Sequence, residues 1–266
     1  MNLQDISTQL LFTTVPIWTE NAQGGTSSAT AFLYNVAVPS KPEQSIPLLI
    51  TNHHVVSGAK RGLVEFVERS GKEPDRSRRV RIELDAATLA SRTSAELDLA
   101  VIPIGPALNQ LEAAGRPAFF RSVSPDLIPT AEARDQLAAL EEVVFIGYPS
   151  GIRDEKNASP LIRRGITSTP VWNDYEGKPT FLIDAGVFPG SSGSPVFILN
   201  QGGFATKDGL VLGNRLLFLG VISQTFLRKG VANETFLGLG QVVRSDALVE
   251  FLDKVIKPLL PNGGGA

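Results

Sequence analysis

The chain has 266 residues, 42% of them hydrophobic and 20% charged, enough to bury one large core or two medium ones. A formal net charge of -2 and a pI near 5.8 give no basic footprint for nucleic acid, and the absence of cysteine excludes disulfides and thiolate metal sites. The start, "MNLQDISTQLLF", lacks the basic opening and longer apolar run of a secretory signal, and no apolar run approaches the length of a membrane span. The expectation is a cytoplasmic chain with no membrane or nucleic-acid partner, or an exported one whose signal has been trimmed.

Most of the sequence reads as short apolar or alternating runs broken by glycine, proline and polar clusters, the pattern of an all-β sandwich or barrel. Strands are expected over 10–18, 30–36, 47–51, 63–67, 79–84 and 99–104. The basic stretch "DRSRRVR" (75–81) reads as a solvated strand entry. Helix-forming residues follow at 105–117 and 129–142, with Thr130 as a cap for the second stretch. Strand texture resumes at 143–149, 162–168, 179–185, 194–199, 216–224 and 235–243. An amphipathic helix closes the chain at 245–257, with Ser245 as N-cap and Leu248, Phe251, Leu252 and Val255 as its apolar stripe. The expected organisation is a β-barrel over 1–104, a partly helical linker over 105–142, a second β-barrel with its closing helix over 143–258 and a disordered tail over 259–266.

Three stretches carry chemistry. A serine hydroxyl is a poor nucleophile until a base takes its proton, and an imidazole base works best when an acid fixes its tautomer. "LLITNHHVV" (48–56) supplies histidine after a buried strand, "ELDLAVIPI" (96–104) puts a lone aspartate at a strand entrance, and "PGSSGSP" (189–195) supplies serine. Alone, the serine-glycine segment is a turn and the aspartate a strand-entry residue. The two histidines are adjacent, and neighbours on an extended chain point to opposite sides, which argues against a shared metal ion and leaves at most one of them facing a site.

Together, "TNHHVV", "LDLAVI" and "DAGVFPGSSGSPVF" resemble the histidine, aspartate and serine segments of the chymotrypsin-like serine proteases. The last two are most similar to the bacterial HtrA-type and glutamyl-endopeptidase-type branches. The resemblance runs over residues 20–245 in the family's chain order. It implies two six-stranded antiparallel barrels, with His54 as general base, Asp98 orienting it, Ser192 as nucleophile and the backbone N–H groups of Gly190 and Ser192 as oxyanion hole. "LGVISQT" (219–225) resembles the substrate-binding strand. By that match Ser223 supports Asp98 with a hydrogen bond, and Gln224 and Thr225 pair with substrate backbone.

The resemblance puts the floor of the pocket for the residue before the scissile bond at Gly186, with walls at 223–225 and at 237–241, Leu239 among them. None of these positions is charged, and the histidine that glutamyl endopeptidases use for an acidic side chain is missing, so small or medium apolar residues are expected. Asp184 reads as a structural acid bonded to nearby backbone, and His53 as a bystander. Ser191 stands where the digestive branch has an aspartate that pairs with a freed N-terminus, so that switch cannot operate, and no PDZ module is expected after the second barrel. The implied activity is a cofactor-free, metal-free serine endopeptidase acting on polypeptide, held in check by tight specificity or an activator. The alternatives are a silent protease-fold binding protein and a non-proteolytic acyl hydrolase.

Overall fold

The structure is a computed structural model describing residues 1–38, 41–206, 209–229 and 234–259. A short helix α1 (Ile6–Leu10), capped by the Asp5 carboxylate, leads into β1 (Thr14–Asn21), β2 (Thr26–Val38) and β3 (Lys41–Thr51). One helical turn, α2 (His53–Val56), precedes the long hairpin of β4 (Ala59–Ser70) and β5 (Glu73–Asp85), then α3 (Ala86–Ala90), β6 (Thr93–Ser94) and β7 (Leu99–Pro103). The connection carries α4 (Gly105–Ala113), β8 (Ala118–Phe119) and α5 (Ala131–Asp135). Next come β9 (Glu142–Gly147), β10 (Leu161–Thr167), β11 (Thr180–Asp184), β12 (Pro195–Asn200), β13 (Gly203–Thr206) and β14 (Gly209–Leu212). The chain finishes with β15 (Arg215–Lys229), β16 (Glu234–Arg244) and α6 (Ser245–Val255).

The first sheet has the order β5-β4-β1-β2-β3-β7-β6 with β8 added on β4, and the second is a closed antiparallel barrel in the order β10-β11-β16-β15-β12-β9. All twelve expected strands are present. The first sheet nevertheless has eight strands instead of six, because the two-residue β6 joins one edge and the two-residue β8 pairs with β4, and its pairing path runs open from β5 to β6. Period-two burial makes these strands: Val80, Ile82 and Leu84 are buried while Arg81 and Glu83 between them face solvent. An apolar cluster joins the two units, with Phe32, Tyr34, Ile50 and Val101 of the first against Phe197 and Phe218 of the second and Leu248 and Phe251 of α6. The Phe218 ring lies 5.5 Å from those of both Phe32 and Phe197.

Three local expectations need correction. Within 129–142 only Ala131–Asp135 is helical: Thr130 Oγ1 caps it by accepting from Ala133 N–H, but beyond it the Glu141 carboxylate takes the Ala138 N–H and turns the chain. Arg244, not Ser245, holds the N-cap position of α6, because pairing with Gly220 keeps Arg244 extended. The 75–81 stretch is more than a solvated entry, since Arg78, Arg79 and Arg81 pair with the buried Glu68 and Glu65 of β4. The expected tail beyond residue 259 lies outside the described residues.

Candidate active site

Strand register explains why residues far apart in sequence meet. β3 and β7 pair with Thr51 opposite Ala100, so the segment leaving β3 and the segment entering β7 lie side by side. Asn52 Nδ2 donates to the Asp98 carbonyl at 2.8 Å, fixing that neighbourhood. Asp98 adopts φ 53°, in the left-handed region that aspartate tolerates better than most residues. In that pose Oδ1 accepts the backbone N–H of His54 at 3.0 Å and Oδ2 lies 2.8 Å from His54 Nδ1. A carboxylate only accepts, so Nδ1 donates to it, and in the neutral imidazole that leaves the lone pair on Nε2. Nε2 lies 3.1 Å from Ser192 Oγ.

Ser192 comes from the second unit, and the first unit holds its loop. Thr30 of β2, fully buried, donates its N–H to the Ser192 carbonyl at 2.9 Å and its hydroxyl to the Gly190 carbonyl at 2.9 Å. The same hydroxyl accepts from Tyr148 N–H at 3.0 Å, while Thr51 Oγ1 donates to the Thr30 carbonyl at 2.8 Å. Burial pushes the Tyr148 phenol up, so it stays a neutral donor to the Thr14 carbonyl. Gly193 has φ +84°, and a Cβ there would meet the Thr30 carbonyl oxygen at 2.0 Å.

The loop's peptide planes dispose the remaining donors. Ser150 N–H holds the Pro189 carbonyl and Ser194 N–H holds the Ser191 carbonyl. In a trans peptide C=O and N–H point opposite ways, so the N–H groups of Gly190 and Ser192 are turned from those bonds. Neither has an acceptor among the described residues, whereas Ser191 N–H is taken by the Phe188 carbonyl and Gly193 N–H by that of Ile222. The arrangement presents a hydroxyl, a base with a free lone pair and two unpaired backbone donors along a cleft of about 740 Å³, which His53, Ser223 and Gln224 also line. Among the described residues no cluster of histidine, aspartate and glutamate could hold a metal ion.

Other expected residues fall less simply. Ser223 Oγ donates to the Gln241 carbonyl at 3.4 Å instead of to Asp98; Ser223 sits where the register between β15 and β16 shifts, between Ile222 and Gln224. Thr225 Oγ1 donates to the Val187 carbonyl at 2.8 Å, tying β15 to the segment after Gly186, and Gln224 is exposed. Leu239 is half-buried on β16 opposite Asp184. The Asp184 carboxylate is exposed and takes no hydrogen bond among the described residues, so it is not the backbone-bonded acid expected. Arg163 of β10 sends its guanidinium against Gly186, where a Cβ would meet Nη2 at 2.3 Å, so a charged group neighbours a position where only uncharged residues were expected. Thr30 and Arg163 were both missed from sequence. The signal for the second was available, since consecutive arginines at 163 and 164 in a strand must put one of them inward.

The family model of the trypsin-like peptidase domain matches residues 29–204. No curated protein matches the chain. Among solved structures, the HtrA-type protease AlgW, solved with a tripeptide, is 16% identical with a TM-score of 0.52 over 99% of this chain, which spans 65% of that one. Deg5 is 14% identical with a TM-score of 0.53, covering 97% of this chain and 93% of its own. The protease Anisep from Arthrobacter nicotinovorans is 13% identical with a TM-score of 0.50 over 93% and 96% of the two chains. The strand order and closed six-stranded barrel agree with the chymotrypsin-like double-barrel fold of these neighbours. With well over half of its length matched, the chain belongs to the trypsin-like peptidase domain family.

Proposed function

We propose that the protein is a serine endopeptidase in which Ser192 is the nucleophile, His54 the general base and Asp98 the residue that orients His54. The observation that carries this reading is the unbroken chain from Ser192 Oγ through the His54 ring to the Asp98 carboxylate, at 3.1 and 2.8 Å. Ser192 Oγ attacks the scissile carbonyl carbon as its proton passes to His54 Nε2, and the carbonyl oxygen takes the negative charge beside the N–H groups of Gly190 and Ser192. His54 then protonates the leaving amine, giving an acyl-enzyme. Water, deprotonated by His54, releases the acid and restores Ser192. Residues 1–104 thus supply base and acid, residues 143–258 supply the nucleophile, and 105–142 link them; the partner is a polypeptide.

A fluorophosphonate probe and a peptide substrate test this reading. Both should report on the wild-type protein, and Ser192→Ala should abolish labelling and lower turnover by a factor on the order of 10⁶. Ser191→Ala and Ser194→Ala, whose hydroxyls are buried away from His54, should keep measurable activity. Full labelling of Ser192→Ala refutes the assignment. No labelling of the wild type favours a silent binding protein, and ester hydrolysis without peptide cleavage favours an acyl hydrolase.

A further inference from the structure

Gly186, which the resemblance makes the floor of the pocket for the residue before the scissile bond, has no side chain, and the guanidinium of Arg163 from β10 lies where its Cβ would be. On β10 the outward residues Ile162, Arg164 and Ile166 are exposed, whereas Leu161, Arg163 and Gly165 on the other face are half-buried. Outward-facing Arg164 pairs with Glu142. Arg163, on the inward face, pairs with no carboxylate among the described residues. Its guanidinium lies over the Phe188 ring, 5.1 Å from the centroid, and against Gly186, so it sits on both ends of the segment 186–188. Thr225 grips the Val187 carbonyl from β15, and the Val187 side chain closes on Gly240 of β16, where a Cβ would meet Val187 Cγ2 at 2.5 Å. The 186–188 segment is therefore walled by β15 and β16 and backed by a half-buried cation. Asp184, two residues before Gly186, makes no ion pair with it among the described residues.

We propose that Arg163 makes this a pocket for an acidic side chain, so that the enzyme cleaves after glutamate or aspartate. The inference rests on the hydrolase reading above for the position of the scissile bond. A planar guanidinium offers a fork of donors that matches a carboxylate, and it cannot be neutralised by losing a proton at ordinary pH. A half-buried cation with no counter-ion gains most from a ligand that brings one. The ring of Phe188 orients the fork without competing for it, because a cation over an aromatic face keeps its edge N–H groups free. Gly186 is the permissive residue: any side chain there would occupy the space of Nη2 and displace the guanidinium.

The discriminating pair is glutamate against glutamine before the scissile bond, isosteric and different only in charge. A charge-assisted contact of this kind predicts about a 10- to 100-fold higher kcat/KM for glutamate in the wild type, falling to near parity in Arg163→Gln and partly kept in Arg163→Lys. Parity in the wild type, or a glutamate preference that survives in Arg163→Gln, overturns the proposal. Binding of the same two peptides to Ser192→Ala protein reads the pocket without turnover, and equal Kd values there also overturn it. Tighter binding of the glutamate peptide to a protein whose wild type takes no fluorophosphonate would sink the catalytic reading while upholding the pocket.

Discussion

Thr30→Val is the sharpest perturbation of the contact between the two β units. Valine matches threonine in size, so no cavity opens, but it removes a hydroxyl that donates to the Gly190 carbonyl at 2.9 Å and accepts the Tyr148 N–H at 3.0 Å. Both partners then become unpaired polar groups at a position with no solvent exposure. Each such orphan costs about 1–3 kcal/mol, which puts the total at about 2–6 kcal/mol. Thr30→Ser keeps the hydroxyl and loses one methyl group, at about 1 kcal/mol. Function should separate the two more widely. Releasing the Gly190 carbonyl frees the loop that holds the two unpaired N–H groups, and misplacing one such donor costs up to about 10²–10³ in kcat. Urea unfolding gives the stability difference, and steady-state kinetics on a peptide should show kcat falling with KM little changed. If Thr30→Val unfolds at the same urea concentration as Thr30→Ser, or keeps the wild-type kcat, Thr30 does not act as argued.

Gly193→Ala should be far more damaging than Gly24→Ala, although both have φ near +80°, because a Cβ at 193 meets the Thr30 carbonyl at 2.0 Å and one at 24 meets nothing. The backbone penalty alone, about 1–2 kcal/mol, is expected at 24; similar thermal midpoints for the two variants would contradict this. Glu65→Ala should cost about 3 kcal/mol, since it removes the shared buried partner of Arg79, Arg81 and Arg153 and leaves Arg153, which reaches it from the second unit at 2.8 Å, with only the exposed Glu155. A loss under about 1 kcal/mol in denaturant titration would show that the pair is screened like a surface one. The cap of α1 should release only in strong acid. The Ser7 hydroxyl and then the Thr8 N–H hold the Asp5 carboxyl at about 2, below its ordinary 3.8, so its contribution is complete above the ordinary value and fades as pH falls through the lower one. The Thr8 amide resonance should follow that midpoint; one near 3.8 would disprove the cap.

Strands were legible because each buries one face or both, and the resulting apolar runs survive in the sequence whatever they pack against. Helix ends were less so. The 129–142 stretch has the composition of a helix, yet a single side chain, Glu141, captures Ala138 N–H and ends it, and composition carries no trace of that competition. His54, Asp98 and Ser192 could be singled out only together, because three segments in one order resemble those of a known family, and the structure brings the three side chains into one hydrogen-bonded chain. Ser223 was assigned by analogy with a strand and bonds Gln241 instead, at a shift in the register of β15 against β16 that a strand pattern does not reveal. Thr30 acts across strand boundaries, so its role belongs to the pairing of sheets and not to its local sequence, whereas the Arg163–Arg164 pair in a strand already implied that one of the two faces inward.

The apolar cluster shared by both β units and α6 has a consequence for how the molecule ages. The turn after α4, with Ala114, Gly115 and Arg116 exposed, is open to nicking by an added protease of broad specificity. A cut there severs the covalent link between the halves but leaves Phe32, Phe197, Phe218 and Phe251 packed together. The two fragments stay joined, with His54 still beside Ser192. Nicked protein should therefore run as two bands under denaturing conditions while eluting and turning over as one. Its working lifetime is set by the rare opening of the whole core, not by the accumulation of broken bonds.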